Sequence, residues 1–157
     1  MLPSSYAGQA CPIARSLEVV GERWTLLILR DAFLGVRRFD DFQARLEVSR
    51  AVLTRRLAAL VDDGLLRRER YQARPERFEY LPTERALDLW PTILSLARWS
   101  EPIAPPEREF VHEACGTIVY AAVRCPHCDV DVDAAHAASR GGPGYPTDES
   151  FGPLLVS

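Results

Sequence analysis

The sequence contains no lysine, and all 19 basic side chains are arginine. Arginine's planar fork suits phosphates and guanine edges, but genome base content can produce the same bias. The absence therefore permits a nucleic-acid partner without selecting one. Long apolar runs are missing too; none approaches the roughly 20 residues a membrane-spanning helix needs, so no membrane partner is expected. The first ten residues have neither a basic n-region nor an apolar h-region, so no secretory signal is expected. A cytoplasmic location follows, with the four cysteines reduced rather than disulfide-bonded. Catalytic signatures are also lacking: there is no H-E-x-x-H, no G-x-S-x-G and no glycine-rich phosphate loop. A zinc deaminase needs H-x-E and P-C-x-x-C, whereas Glu113 directly follows His112 and Pro126 lies inside its cysteine pair. His136 stands in an alanine-rich stretch with no visible partner. The chain is not expected to be an enzyme.

What is present is charge segregated along the chain. The net charge is −3, yet residues 1–100 hold 16 arginines against 13 acids, while residues 101–157 hold 3 against 9. Between Arg37 and Arg77 there are 11 arginines against 7 acids. Positive charge is concentrated where a polyanion would have to bind.

Apolar periodicity predicts helices over 12–33 in two pieces, separated at Gly21. The second, around Trp24 and Leu26 to Leu29, is apolar nearly all round and is expected at the centre of the core. A short helix from Phe39 to Leu46 carries Asp40 and Asp41 in its first turn, where the helix dipole favours acids. Ser49 is the expected N-cap of the next helix. Leu53, Leu57, Leu60 and Val61 form its core stripe, and Gly64 ends it. Its other side presents Arg50, Ala51, Thr54, Arg55 and Ala58, with Arg56 at the edge. Small residues let a helix approach a surface closely, and long donors beside them reach outward, as entry into a major groove requires. Leu65–Tyr71 and Phe78–Leu81 are expected as strands of a hairpin with residues 72–77 at its tip. A helix capped by Thr83 follows, with Pro91 kinking or breaking it. The order is that of a winged helix-turn-helix: a mainly α (α+β) fold with a two-stranded wing.

Several stretches then carry a family resemblance: Cys11-Pro12-Ile13 with Leu17, Gly21 to Arg30, Arg38-Phe39, Ser49 to Leu57, Asp63 to Leu66, and Glu79 to Thr83. In these the chain resembles the HxlR-type family of bacterial winged-helix regulators, over about ninety residues. The resemblance implies a DNA-binding and dimerisation domain at 11–101. It implies a homodimer paired through the N-terminal helix and the C-terminal helix of that domain. The partner would be a pseudo-palindromic double-stranded operator, with repression as the leading expectation and activation also open. It places Arg50, Thr54 and Arg55 in the major groove, beside Ser49 and Arg56. Arg74 and Arg77 at the wing tip would meet the backbone or the minor groove, and Arg38 is a further candidate phosphate contact. On the bland reading these arginines are a solvated surface, and those of the wing pair with Glu76 and Glu79. The resemblance also makes Cys11 a candidate redox or electrophile sensor, since a thiol at a helix N-terminus is expected to be more reactive. A different reading is a redox or metal sensor whose winged module contacts protein instead of DNA.

Beyond the prolines at 102, 105 and 106, residues 110–133 contain His112-x2-Cys115 and Cys125-x2-Cys128. These are soft or borderline ligands in two pairs, with Thr117–Val123 between them expected as a short hairpin. The pattern predicts a small zinc-ribbon-like module with one structural zinc per chain. His127 is a substitute ligand should His112 point away. The spacing between pairs is shorter than in the commonest zinc motifs; inert or disulfide-bonded cysteines are one alternative, and a ligand-binding or dimer-stabilising lid is another. Residues 134–157, rich in Ala, Gly, Pro and Ser, are expected to be a flexible tail.

Overall fold

Pro12 opens helix α1 (Pro12–Val20), at a position where its fixed φ and missing N–H cost nothing. The helix ends at Gly21, where a Cβ would lie 2.4 Å from the Leu17 carbonyl oxygen. Glu22 then caps α2 (Arg23–Phe33), its carboxylate accepting from the Trp24 N–H at 2.9 Å. This is a computed structural model; it describes Tyr6 and residues 11–103, 109–139 and 152–153. The chain divides into two compact units, Met1–Ile93 and Leu94–Ser157.

In the first unit α2 is central, as its all-round apolar sequence predicts. Ile28, Leu29 and Ala32 are fully buried, and the helix packs against α1, α3 (Phe39–Leu46) and α4 (Arg50–Asp62). Leu53, Leu57 and Leu60 bring α4 into the same core, where Phe42 is also completely enclosed. Each of these leucines contributes about 2 kcal/mol by leaving water. Val61, assigned to the same stripe, is only partly buried. The turn between α3 and α4 passes through Glu47 in the left-handed region, at φ 50°. α4 stops as Gly64 predicts. The Gly64 N–H bonds the Val61 carbonyl and the Leu65 N–H bonds the Leu60 carbonyl, a closure that requires φ +70° at residue 64.

The wing is longer than expected. Strands β1 (Leu66–Ala73) and β2 (Glu76–Pro82) pair antiparallel, with an irregularity at Tyr71, leaving only Arg74-Pro75 at the tip. The peptide bond there is cis. Charge at Glu76 and Arg77 suggested loop, but a solvated ribbon needs only backbone pairing, and its side chains can all be polar. Thr83 caps a single turn, α5 (Glu84–Leu87), and its hydroxyl also donates to the Gly64 carbonyl at 2.7 Å. The chain then breaks before α6 (Trp90–Ser100), placing Pro91 in the first turn of a new helix. No helix among the described residues is long and apolar enough to cross a membrane.

The second unit differs from expectation in two ways. Thr117–Val123 does not form a hairpin; it links two separate turns, each closed by its own β-bridge, Val111 to Ile118 and Arg124 to Asp131. Part of the expected flexible tail has regular structure. Ala134–His136 forms a 3₁₀ turn capped by Asp133, and β3 (Ala138–Ser139) pairs antiparallel with β4 (Gly152–Pro153). His136 has a partner after all, its Nδ1 lying 2.7 Å from Asp133 Oδ1. That contact and the backbone N–H of His136 hold the Asp133 carboxyl below its usual range. The remainder of the expected tail, 140–151 and 154–157, lies outside the described residues, as do Pro105 and Pro106.

Candidate nucleic-acid interface

Burying Leu53, Leu57 and Leu60 turns the opposite face of α4 to water. Arg50, Ala51, Thr54, Arg55 and Ala58 are all exposed there. Ser49 caps the helix, its Oγ accepting from the Val52 N–H at 3.4 Å. The Thr54 hydroxyl donates to the Arg50 carbonyl at 2.8 Å, so its methyl is left to face outward contacts. Among the described residues Arg55 has no ion-pair partner within reach.

Two of the predicted contacts are tethered. Arg50 lies over the Phe39 ring at 4.6 Å and 3.7 Å from Asp40, with both charged side chains largely exposed. Arg38 lies over the Tyr71 ring at 4.7 Å, and its Nε donates to Glu79 at 3.3 Å. These contacts, together with the Tyr80 N–H bonding the Arg37 carbonyl at 2.8 Å, fasten the wing to the start of α3. Exposed pairs of this kind are worth at most about 1 kcal/mol, so they orient the arginines without withholding them from a phosphate. An open cleft of about 500 Å³ lies between the two helix starts and the wing, bordered by Arg38, Arg50 and Arg77 among others.

Arg56, expected at the interface edge, is placed elsewhere. Its side chain is turned toward the core, with Nε 3.2 Å from Glu22, an ion pair out of line for a hydrogen bond. The position follows from helix geometry: Arg56 lies three residues after Leu53 and four before Leu60, both buried, and so sits on the flank of their inward-facing stripe. On the wing, Glu76 is taken by Arg70 at 3.4 Å and Glu79 by Arg38. Arg74 at the tip and Arg77 next to it in β2 therefore stand without an ion pair among the described residues. Arg67, paired with Glu69, and Arg68, over the Phe78 ring, extend the basic ribbon. The sequence reading passed over them, although the run Arg67-Arg68-Glu69-Arg70 inside a strand was the available signal.

Cys11 is exposed at the N-cap of α1, and its side chain makes no capping bond. All four cysteines are free thiols. His112 Nδ1 lies 3.3 Å from Cys115 Sγ, so His112 is turned toward its pair. The hydroxyl of Thr117, then its backbone N–H, hold the Cys115 thiol below its usual range. At Cys125 the backbone N–H groups of Cys128 and His127, with the Cys128 thiol, have the same effect. The pairs His112/Cys115 and Cys125/Cys128 are each formed, but among the described residues no three His, Cys, Asp or Glu are gathered closely enough to hold a metal ion.

Comparison with known proteins agrees with this geometry. The model of the HxlR-like helix-turn-helix family matches residues 19–108. An uncharacterized HTH-type transcriptional regulator of Mycobacterium tuberculosis is 41% identical, over 85% of this chain and 87% of its own length. Another from Bacillus subtilis is 32% identical over 59% of this chain and 73% of its own. Among solved structures, a putative transcription factor from Pseudomonas aeruginosa is 37% identical with TM-score 0.60, covering 85% of this chain and 93% of that one. The redox regulator HypR in its reduced form is 30% identical with TM-score 0.55, covering 59% and 92%.

Proposed function

This chain belongs to the HxlR-like helix-turn-helix family of transcriptional regulators, and on that premise we propose that it represses transcription as a homodimer bound to a pseudo-palindromic operator. The observation that carries the DNA-binding reading is Arg55. It is exposed beside Ala51, Thr54 and Ala58, and no acid among the described residues competes for it. A guanidinium set among small residues can reach a guanine edge or a phosphate while the helix backbone enters the groove. Arg50 and Thr54 flank it, Arg74 and Arg77 follow the adjoining backbone, and Arg38 adds a phosphate contact at the foot of the wing. Arg56, half-buried and ion-paired with Glu22, is left out of this interface.

Two apolar surfaces support a second copy as partner. Ile13 and Leu17, one turn apart on α1, are exposed, and so are Leu96 and Trp99 on α6. Apolar surface of this kind on terminal helices is what a dimer interface would cover. In a gel-shift titration on the DNA upstream of its own coding sequence, Arg55→Ala is expected to bind about tenfold more weakly. Sedimentation of the unmodified protein and of Arg55→Ala should give the same mass, twice that of one chain. Unchanged affinity removes Arg55 from the interface, and a one-chain mass removes the dimer.

Cys11 is the proposed entry point for a redox or electrophile signal. The reading is supported by its exposure at a helix start and by the likeness to a redox regulator. Alkylation of the native protein at neutral pH should then be faster at Cys11 than at a free thiol. A rate no greater than that of free thiol argues against sensing.

A further inference from the structure

We propose that the segments 110–119 and 123–132 are the two halves of one structural metal site of the zinc class, with His112, Cys115, Cys125 and Cys128 as its ligands. The first support is a backbone repeat that the sequence does not advertise. In the first turn the His112 N–H bonds the Thr117 carbonyl, the Gly116 N–H bonds the His112 carbonyl, and the Val119 N–H bonds the Phe110 carbonyl. Thirteen residues later the Cys125 N–H bonds Val130, the Asp129 N–H bonds Cys125, and the Val132 N–H bonds Val123. The β-bridges repeat in the same register, and the left-handed residue falls at the same place, Gly116 at φ 68° and Asp129 at φ 57°. When the two turns are superposed by register, His112 falls on Cys125 and Cys115 on Cys128. Every thiol or imidazole at these places is thus presented by an equivalent backbone. Two unrelated loops would not be expected to share all of these features.

The second support is what the segment lacks. Val111, Ile118, Tyr120, Val123 and Val130 are all exposed, and Phe110, Val119 and Val132 are only half-buried; no residue of 109–138 is fully buried, so little apolar core accounts for two ordered turns. A module this small is ordinarily held by metal or disulfide, and its cysteines are free thiols. Three thiolates and one imidazole suit zinc and not magnesium or calcium. The two pairs stand apart here, so binding must draw the turns together. As Zn²⁺ binds, three thiol protons leave to solvent and His112 ligates as the neutral ring. The site does not depend on how the first unit binds DNA.

The test uses the full chain purified without chelator, with metal measured by elemental analysis and thiols counted in parallel. The expected result is about one zinc per chain, with Co²⁺ replacing it to give a thiolate charge-transfer band and intense tetrahedral d–d absorption. Cys115→Ser and Cys128→Ser should each lose the metal while DNA affinity confirms that the first unit is folded. His127→Ala should keep it. Less than about one-tenth zinc per chain after Zn²⁺ is supplied to the reduced protein, or a weak octahedral Co²⁺ spectrum, overturns the site. Metal retained in Cys128→Ser, or lost in His127→Ala, overturns the ligand set.

Discussion

Asp31→Ala is expected to lower the unfolding free energy by about 3 kcal/mol, roughly the loss that follows breaking a buried ion pair. Asp31 is fully buried in α2, the most central helix of the first unit. Its carboxylate is held from both sides. Arg30 donates through Nε at 3.0 Å, with Nη2 equally close, and Arg45 of α3 donates through Nε at 3.3 Å and Nη2 at 3.4 Å. The side chain therefore ties α2 to α3, the helix leading into the helix-turn-helix turn. Both guanidinium groups stay about two-fifths exposed, so after truncation they regain water. This keeps the expected loss at the lower end for buried pairs. For a unit of this size it corresponds to a melting temperature lower by about 12–20 °C. Asp31→Asn keeps the shape and some of the bonds but not the charge, and should cost less than Asp31→Ala. Thermal unfolding followed by circular dichroism decides the matter. A shift under about 3 °C for Asp31→Ala would mean that desolvating the carboxylate offsets what the arginines return.

Asp31 also shows where the sequence stops being legible. A lone acid in an apolar helix reads as an exposed residue at the helix edge, because the residue that rescues it, Arg45, is fourteen positions away on another helix. Elements set by local rules were readable. The breaks at Gly21 and Gly64, the cap at Ser49, the span Phe39–Leu46 and the leucine stripe of α4 all depend on residues within one or two turns. The outward face of α4 followed from the same periodicity. The partners of each arginine were not readable, since they depend on tertiary placement. Arg56 pairs with Glu22, Arg38 with Glu79, and Arg50 lies on Phe39. The wing's length was hidden by its charge, and the repeat of the C-terminal turns lies in backbone bonds that unlike residues such as Thr117 and Val130 form equally well.

The salt dependence of DNA binding tests the arginine assignments together. If Arg38, Arg55, Arg74 and Arg77 of each protomer meet phosphates, a dimer neutralises about eight, and log K should fall with log salt at a slope near −7. Raising salt from about 50 to 200 mM would then weaken binding about ten-thousandfold. Replacing both Arg74 and Arg77 by alanine removes four of those contacts in the dimer. The slope should fall to about −4, and the same salt change should then cost only about a hundredfold. The two arginines lie at the tip of a ribbon whose pairing does not depend on them, so their loss should leave the melting temperature unchanged. A base contact would behave differently: Arg55→Ala would lower affinity mainly for the specific site and leave competitor DNA little affected. Three outcomes are therefore separable by titration at several salt concentrations. A slope that drops with the wing variant assigns the tip to the backbone, whereas an unchanged slope leaves Arg74 and Arg77 as solvated surface. A slope near zero in the unmodified protein would remove phosphate contact altogether and turn the exposed face of α4 toward a protein partner.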